Sequence, residues 1–222
     1  MLTTSQALLK RKSVRAFLDK LVDRELVEQI LEHAKYAPSG TNTQPWQVVV
    51  VSGNTKQKLD NALIQAFRDG KAKSMDYKYY PEELTLDMKK RRLACGLQMF
   101  RTLEIKREDT EKRLAQWELN YSAFGAPIAI YVFMPKIVEK GSFLDCGMFI
   151  QSIVLMATSL GLSTCIQAAL AEHADIVRDN LSMSDDMLLV CGIALGYEYT
   201  SAVVNSYKTP REELANFVKF LD

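Results

Sequence analysis

The stretch Tyr36-Ala37-Pro38-Ser39-Gly40-Thr41-Asn42-Thr43-Gln44-Pro45-Trp46 runs straight into Gln47-Val48-Val49-Val50-Val51. It constrains the fold more than any other part of the chain. A helix arriving from the N-terminal side must stop before Pro38, because proline has no N–H and restricts the residue before it. The β-branched run must then form a strand, expected to be buried on both faces. Between them lie five polar side chains in the six positions 39 to 44, with Gly40 permitting a close approach or a positive φ. Two readings stay open for this loop: an ordinary helix-to-strand connection, or a held grip for a polar ligand.

The rest of the chain can be placed around that junction. A short helix is expected from Ser5 to about Lys12, capped by Ser5. A second follows Asp23, with an apolar stripe through Leu26, Val27, Ile30, Leu31 and Ala34. His33 falls on its polar side. Beyond the loop come a helix from about Lys56 to Asp69 and a strand from Ile128 to Met134. The helix from Asp145 to Leu160 is apolar nearly all round and closed by Gly161, which predicts burial in a core or at a subunit interface. A short strand and turn over 163–169, a helix from Ala174 to Leu181 and a strand from Met187 to Gly196 complete the pattern. The end is amphipathic through Leu214, Phe217, Val218 and Leu221. Residues 70–120 are aromatic and basic, with helical spacing and no Pro/Gly-rich linker. They read either as a solvated helical pair or as a helical insertion, a lid at about 70–120, within one domain spanning 1–222.

Composition narrows the function classes. Of 222 residues 48% are apolar, enough for a sizeable core, and the net charge is only +1. That balance argues against a nucleic-acid partner and against a polybasic membrane anchor. The longest apolar run, 147–162, is broken by Gln151, Ser152, Thr158 and Ser159, and no signal segment is visible. Cys95, Cys146, Cys165 and Cys191 form no CxxC pair, which suits reduced thiols and a cytoplasmic location. Two histidines, His33 and His173, both expected on ordinary helices, give neither a metal set nor a hydrolase triad. GxGxxG, GxxxxGK[ST] and GxSxG motifs are absent.

What remains is a set of anion binders. In an extended segment Arg11, Ser13 and Arg15 point to one side, with Lys12 between them. The alternative is a solvated basic surface. Lys208 and Arg211 add two cations near the end. A chain with anchors for a charged group and no acid–base machinery of its own suggests chemistry borrowed from a cofactor.

The segments Arg11-Lys12-Ser13-Val14-Arg15, Ala37 to Trp46, Gly161-Leu162-Ser163-Thr164-Cys165-Ile166-Gln167-Ala168-Ala169 and the late Arg211 together resemble the FMN-dependent nitroreductase family. The resemblance covers nearly the whole chain and is weakest over 54–120. It implies an α+β fold, a central, mainly antiparallel sheet flanked by helices, and an intertwined homodimer with FMN sites at the subunit interface. It also implies an NAD(P)H-dependent oxidoreductase passing a hydride through FMN to a small-molecule electron acceptor such as a nitroaromatic or quinone. Other possibilities are a specialised flavin reductive dehalogenase and a non-catalytic flavin-binding or structural dimer. By motif position, Arg11 and Arg211 would grip the FMN phosphate, with Lys208 nearby and Ser13 on the phosphate or ribityl chain. Lys12 would act through its backbone or charge, and Arg15 would lie near N1 and O2 of the ring as the catalytic residue. Pro38, Ser39 and Gly40 would come from the partner, with Thr41 close to the substrate and Asn42 and Gln44 bonding FMN or bracing the loop. Ile166, Gln167 and Ala168 would pass along the other ring face. Ile166 stands where many members carry proline, and Lys208 where arginine is common.

Overall fold

A computed structural model describes residues 2–221. Four strands, β1 (Gln47–Ser52), β2 (Ile128–Pro135), β3 (Ser163–Gln167) and β4 (Met187–Gly196), form one antiparallel sheet in the order β1-β2-β4-β3. The helices are α1 (Thr4–Lys10), α2 (Arg24–Ala34), α3 (Gly53–Arg68), α4 (Leu86–Thr102), α5 (Thr110–Glu118), α6 (Gly141–Ser159) and α7 (Ala174–Leu181). This is the α+β arrangement, a central antiparallel sheet flanked by helices, that the resemblance implies.

The inner strands β2 and β4 are apolar on both faces and buried along almost their whole length. Each face carries its own core. One packs Leu59 and Leu63 of α3 and Val177 of α7 against Tyr131, Phe133 and Leu189. The other packs Ile30 of α2 and Phe149, Ile153 and Ala157 of α6 against Ile130, Val132 and Ile193. By length and composition α6 could cross a membrane; in this fold its apolar face lies on the sheet. Leu170 crosses β4 so closely that a Cβ on Gly192 would meet its side chain at 2.5 Å, so only glycine fits there.

Several expectations change. β1 is an edge strand and is not buried on both faces: only Val51 is buried, and Val50 is 39% exposed. Apolar periodicity cannot register sheet order, and among the described residues no second strand covers that edge. α1 is capped by Thr3, not Ser5. The Thr3 hydroxyl accepts from Gln6 N–H at 3.2 Å and the Gln6 side chain accepts from Thr3 N–H at 2.9 Å, a capping box. α2 ends at Ala34, well before Pro38, and Asp23 precedes it without a side-chain cap bond. His173 does not sit on a helix surface; it precedes α7 and is buried. Among the described residues the terminal segment makes only a short 3-10 turn, Leu214–Asn216; Leu214, Phe217 and Leu221 stay exposed and Val218 is half-buried.

Segment 70–85 is pinned to the body by buried polar contacts. Asp76 accepts from Arg178 of α7 at 2.6 Å and from the Leu189 N–H at 2.8 Å. A bulge in the β2–β4 register leaves Val190 out of the ladder, and the Tyr77 hydroxyl donates to its carbonyl at 2.6 Å.

Candidate functional site

Arg11 to Arg15 leave α1 as an extended segment along the outer edge of β3. Ser13 bridges Thr164 in parallel and Val14 N–H donates to Thr164 O at 3.0 Å. Val14 is buried, which fixes the alternation and leaves Ser13 and Arg15 half-exposed. Opposite them the chain returns from β4 through buried Asn205. The Asn205 Oδ1 accepts from Arg15 N–H at 2.8 Å, while its Nδ2 donates to Ala16 O at 2.8 Å and Tyr199 O at 3.0 Å. One side chain thus joins the start of the chain to its last stretch.

The two segments enclose a cavity of about 350 Å³ lined by Arg11, Lys12, Ser13, Arg15, Lys208 and Arg211, with Cys95, Tyr207 and Thr209 among its other walls. Among the described residues the Arg15 side chain reaches only the Ser13 carbonyl, at 3.4 Å, and that of Arg211 only the Thr209 and Pro210 oxygens, at 2.8 to 3.0 Å. Among the described residues neither has a carboxylate partner. Lys208 donates to Leu9 O at 2.6 Å. Lys12 is different: its ammonium is taken by Glu198 at 2.7 Å and by Asn205 O at 2.5 Å. Burial pushes the Cys165 thiol up, against the charges of Arg15 and Arg11 and a bond from Ser13. Tyr207 is likewise raised by burial and opposed by Arg15. The cavity is a cationic, hydroxyl-bearing hollow that fits a phosphate dianion on a polar tail.

The other candidates lie elsewhere. Ile166 is 42% exposed on the strand that the 11–15 segment borders. Gln167 turns inward, its amide donating to Asn120 O at 2.9 Å while its Oε1 is buried without a partner. Ala168 is half-buried. The loop from Pro38 to Gln44 does not line the cavity. It rides on α6, where Gly40 N–H donates to Asp145 Oδ1 at 3.2 Å and Trp46 stacks on Phe149 at 4.6 Å. Gly40 does not supply the positive φ; Thr41, Asn42 and Gln44 do, at 49°, 60° and 47°. Such non-glycine strain needs bracing. Gln44 N–H donates to Ser39 Oγ at 3.0 Å and Gln44 Nε2 to Asn42 O at 3.2 Å. Pro38, Thr41 and Asn42 project from this brace exposed, while Ser39 is half-buried.

Sequence reasoning missed Asn205, Asn120, Tyr207 and Cys95. Such single residues carry no local signal, since what they face lies far along the chain: Arg15 for Asn205 and Gln167 for Asn120.

Fold and cavity together define an α+β protein with a phosphate-sized cationic hollow at the edge of an antiparallel sheet. The chain belongs to the nitroreductase family, whose model matches residues 8–197. It is 36% identical over 211 residues to the 4-nitrobenzoate reductase of Pseudomonas putida, covering 95% of this chain and 92% of that one. The FMN and NADPH-dependent nitroreductase NfnB of Sphigopyxis sp. strain HMH superposes with a TM-score of 0.96 at 36% identity, over 100% of both chains. The FMN-dependent NfnB of Mycobacterium smegmatis, solved in complex with NADPH, gives 0.94 at 32% identity, over 99% of this chain and 98% of that one.

Proposed function

We propose that this protein is an FMN-dependent oxidoreductase that takes a hydride from NAD(P)H and reduces a nitroaromatic or quinone acceptor. The observation that carries the reading is the cavity whose arginines have no carboxylate partner among the described residues, in a chain of this family. FMN, when bound, supplies the redox chemistry. Arg11 and Arg211 hold its phosphate through charge-assisted bonds, Ser13 adds a hydroxyl, and Lys208 adds charge from the tail. Lys12 serves through its backbone, because its ammonium is already paired with Glu198. Arg15, fixed through its backbone by Asn205, points positive charge along the cofactor. Ile166 and Ala168 line one ring face, and Gln167, whose side chain turns inward, passes along it by its backbone.

The reading includes a homodimer. The loop carrying Pro38, Ser39, Gly40, Thr41, Asn42 and Gln44 is braced, strained and outside the cavity of its own chain, so it serves the cavity of a partner. Exposed Leu214, Phe217, Phe220 and Leu221 supply apolar surface for the same contact. The reading treats 70–120 as a lid within a single domain, and four free cysteines suit the cytoplasm. The test is colour: purified protein should absorb near about 450 nm, bleach with NAD(P)H and recover on adding acceptor. A colourless protein that takes up no FMN would sink the reading.

A further inference from the structure

The last stretch of the chain carries half of the cationic hollow on little fixed structure. It leaves β4 at Gly196, passes Ala16, whose carbonyl accepts from Tyr199 N–H at 3.0 Å, and reaches Asn205 at the end of a 3-10 turn, Val203–Asn205. Among the described residues Val204 and Asn205 are the last that are buried. Lys208 and Arg211 therefore stand on a tail whose final buried anchor is Asn205. The tail's further ties, from Lys208 to Leu9 O at 2.6 Å and from Gln98 Nε2 to Lys208 O at 3.3 Å, lie in solvent, where water competes for them. The opposite row of the hollow, Arg11, Ser13 and Arg15, stands on the segment that Val14 N–H fastens to Thr164 O. What joins the two rows is an asparagine that does not itself line the hollow.

The bonds of Asn205 leave its amide one orientation. Oδ1 faces a donor, the Arg15 N–H, and Nδ2 faces two acceptors, Ala16 O and Tyr199 O, so both amide hydrogens are spent. Its main-chain carbonyl adds a fourth tie by accepting from Lys12 Nζ. Aspartate, of the same size, would turn an oxygen toward two carbonyls, and serine has a single donor. The need for such a tie follows from charge. Arg11, Arg15, Lys208 and Arg211 face one hollow with no carboxylate partner among the described residues. Before a ligand enters, the two rows repel each other. A charge-assisted bond needs an N···O distance of about 2.7–2.9 Å, so a row displaced by about 1 Å loses its hold on a phosphate.

We propose that Asn205 is a positioning residue of this hollow, clamping the tail row onto the N-terminal row at the separation that a phosphate monoester requires. It rests on the FMN reading above, and is tested by titrating FMN into protein stripped of cofactor. Asn205→Ala should weaken FMN by about tenfold or more, and Asn205→Ser should fall between it and the wild type. The decisive measurement is a double-mutant cycle with Arg211→Ala. If Asn205 works by holding the tail row in place, its removal should matter little once Arg211 is gone, the tenfold loss shrinking to about twofold. A residue that merely stabilises the fold would give the same factor in both backgrounds, and that result overturns the proposal. So does an Asn205→Ala variant with wild-type FMN affinity. Where the alanine variant does not fold, Asn205→Ser carries the same cycle. If the wild type takes up no FMN, the FMN reading falls on its own, and the cycle is repeated by calorimetry with inorganic phosphate as the probe. Coupling between Asn205 and Arg211 there upholds the positioning role; additive losses, or no phosphate binding, overturn it.

Discussion

Lys56 and Arg178 are buried cations, while Arg11, Arg15 and Arg211 are cations that line a cavity. The fold treats the two groups oppositely. Lys56 is held by Asp60 at 2.5 Å and Ser122 O at 3.1 Å, and Arg178 by Asp76 at 2.6 Å. Among the described residues Arg15 has only a carbonyl for company, and Arg211 only carbonyls and a hydroxyl. Charge that serves the fold is neutralised within the chain, because an unpaired buried ion is very costly. Charge that serves a ligand is left open, and the difference distinguishes scaffold from site without reference to any relative.

The largest effect should come from breaking a scaffold pair. Asp60→Ala strands the Lys56 ammonium beneath α3 and should destabilise the protein by about 3–5 kcal/mol. The double change Lys56→Met with Asp60→Leu removes both charges and should cost much less. Urea unfolding at fixed FMN concentration measures both, since cofactor occupancy would otherwise shift the midpoint. Equal losses for single and double variants would mean that packing, not charge, holds this site.

A cavity cation should behave in reverse, with little effect on folding and a clear effect on cofactor retention. Arg211→Ala should weaken FMN about tenfold to a hundredfold, the value of a charge-assisted contact at about 1.5–3 kcal/mol. Lys208→Ala should weaken it less, because lysine acts as a point charge and this one already donates to Leu9 O. Identical FMN dissociation constants for the two variants would erase the distinction.

Arg15 sharpens the comparison further, since its proposed role is in chemistry. Two-electron reduction adds negative charge to the cofactor, and a fixed cation beside it favours that state. Arg15→Gln should therefore retain FMN and show a lower midpoint potential with slower reduction by NAD(P)H. An interaction of about 1.4 kcal/mol corresponds to roughly 30 mV for a two-electron couple. An unchanged potential and rate at full FMN content would leave Arg15 as another phosphate-end charge.

Much of this was legible in the residues. The strand β4 and the helix α7 begin and end where the apolar pattern says, because both are governed by burial that a periodicity detects. The cationic cavity was foreshadowed by Arg11, Ser13 and Arg15 in alternation and by Lys208 and Arg211 far along the chain. The failures share a cause. The exposure of β1 depends on sheet order, the importance of Asn205 on contacts nearly 190 residues away, and the burial of His173 on a turn; none is encoded by local spacing. The Thr3–Gln6 capping box, by contrast, is local: its two residues stand three positions apart, the spacing of a capping box.

The smallest effect concerns an ion pair intermediate between the two groups. Lys71, at the start of the 70–85 segment, meets Asp175 of α7 at 2.8 Å, both side chains being nearly half exposed. Burial pushes the Asp175 carboxyl up, but bonds from Lys71, Ser74 and the Ile176 N–H, with the Lys71 charge, outweigh it and hold the pKa down at about 2 rather than 3.8. A carboxylate depressed in the folded state stabilises the protein above its unfolded pKa and loses that stabilisation as pH falls through the folded one. The window is therefore pH 3.8 down to about 2. Solvent screening limits the contribution of such an exposed pair to about 0.2–1 kcal/mol. Asp175→Asn should accordingly be less stable than the wild type by that small margin at neutral pH, and the gap should close on acidification across this window, because the variant has no charge there to lose. No gap at neutral pH would show that the contact is held by the Ser74 bond, which asparagine can also accept, and that the charge on Asp175 adds nothing to the scaffold.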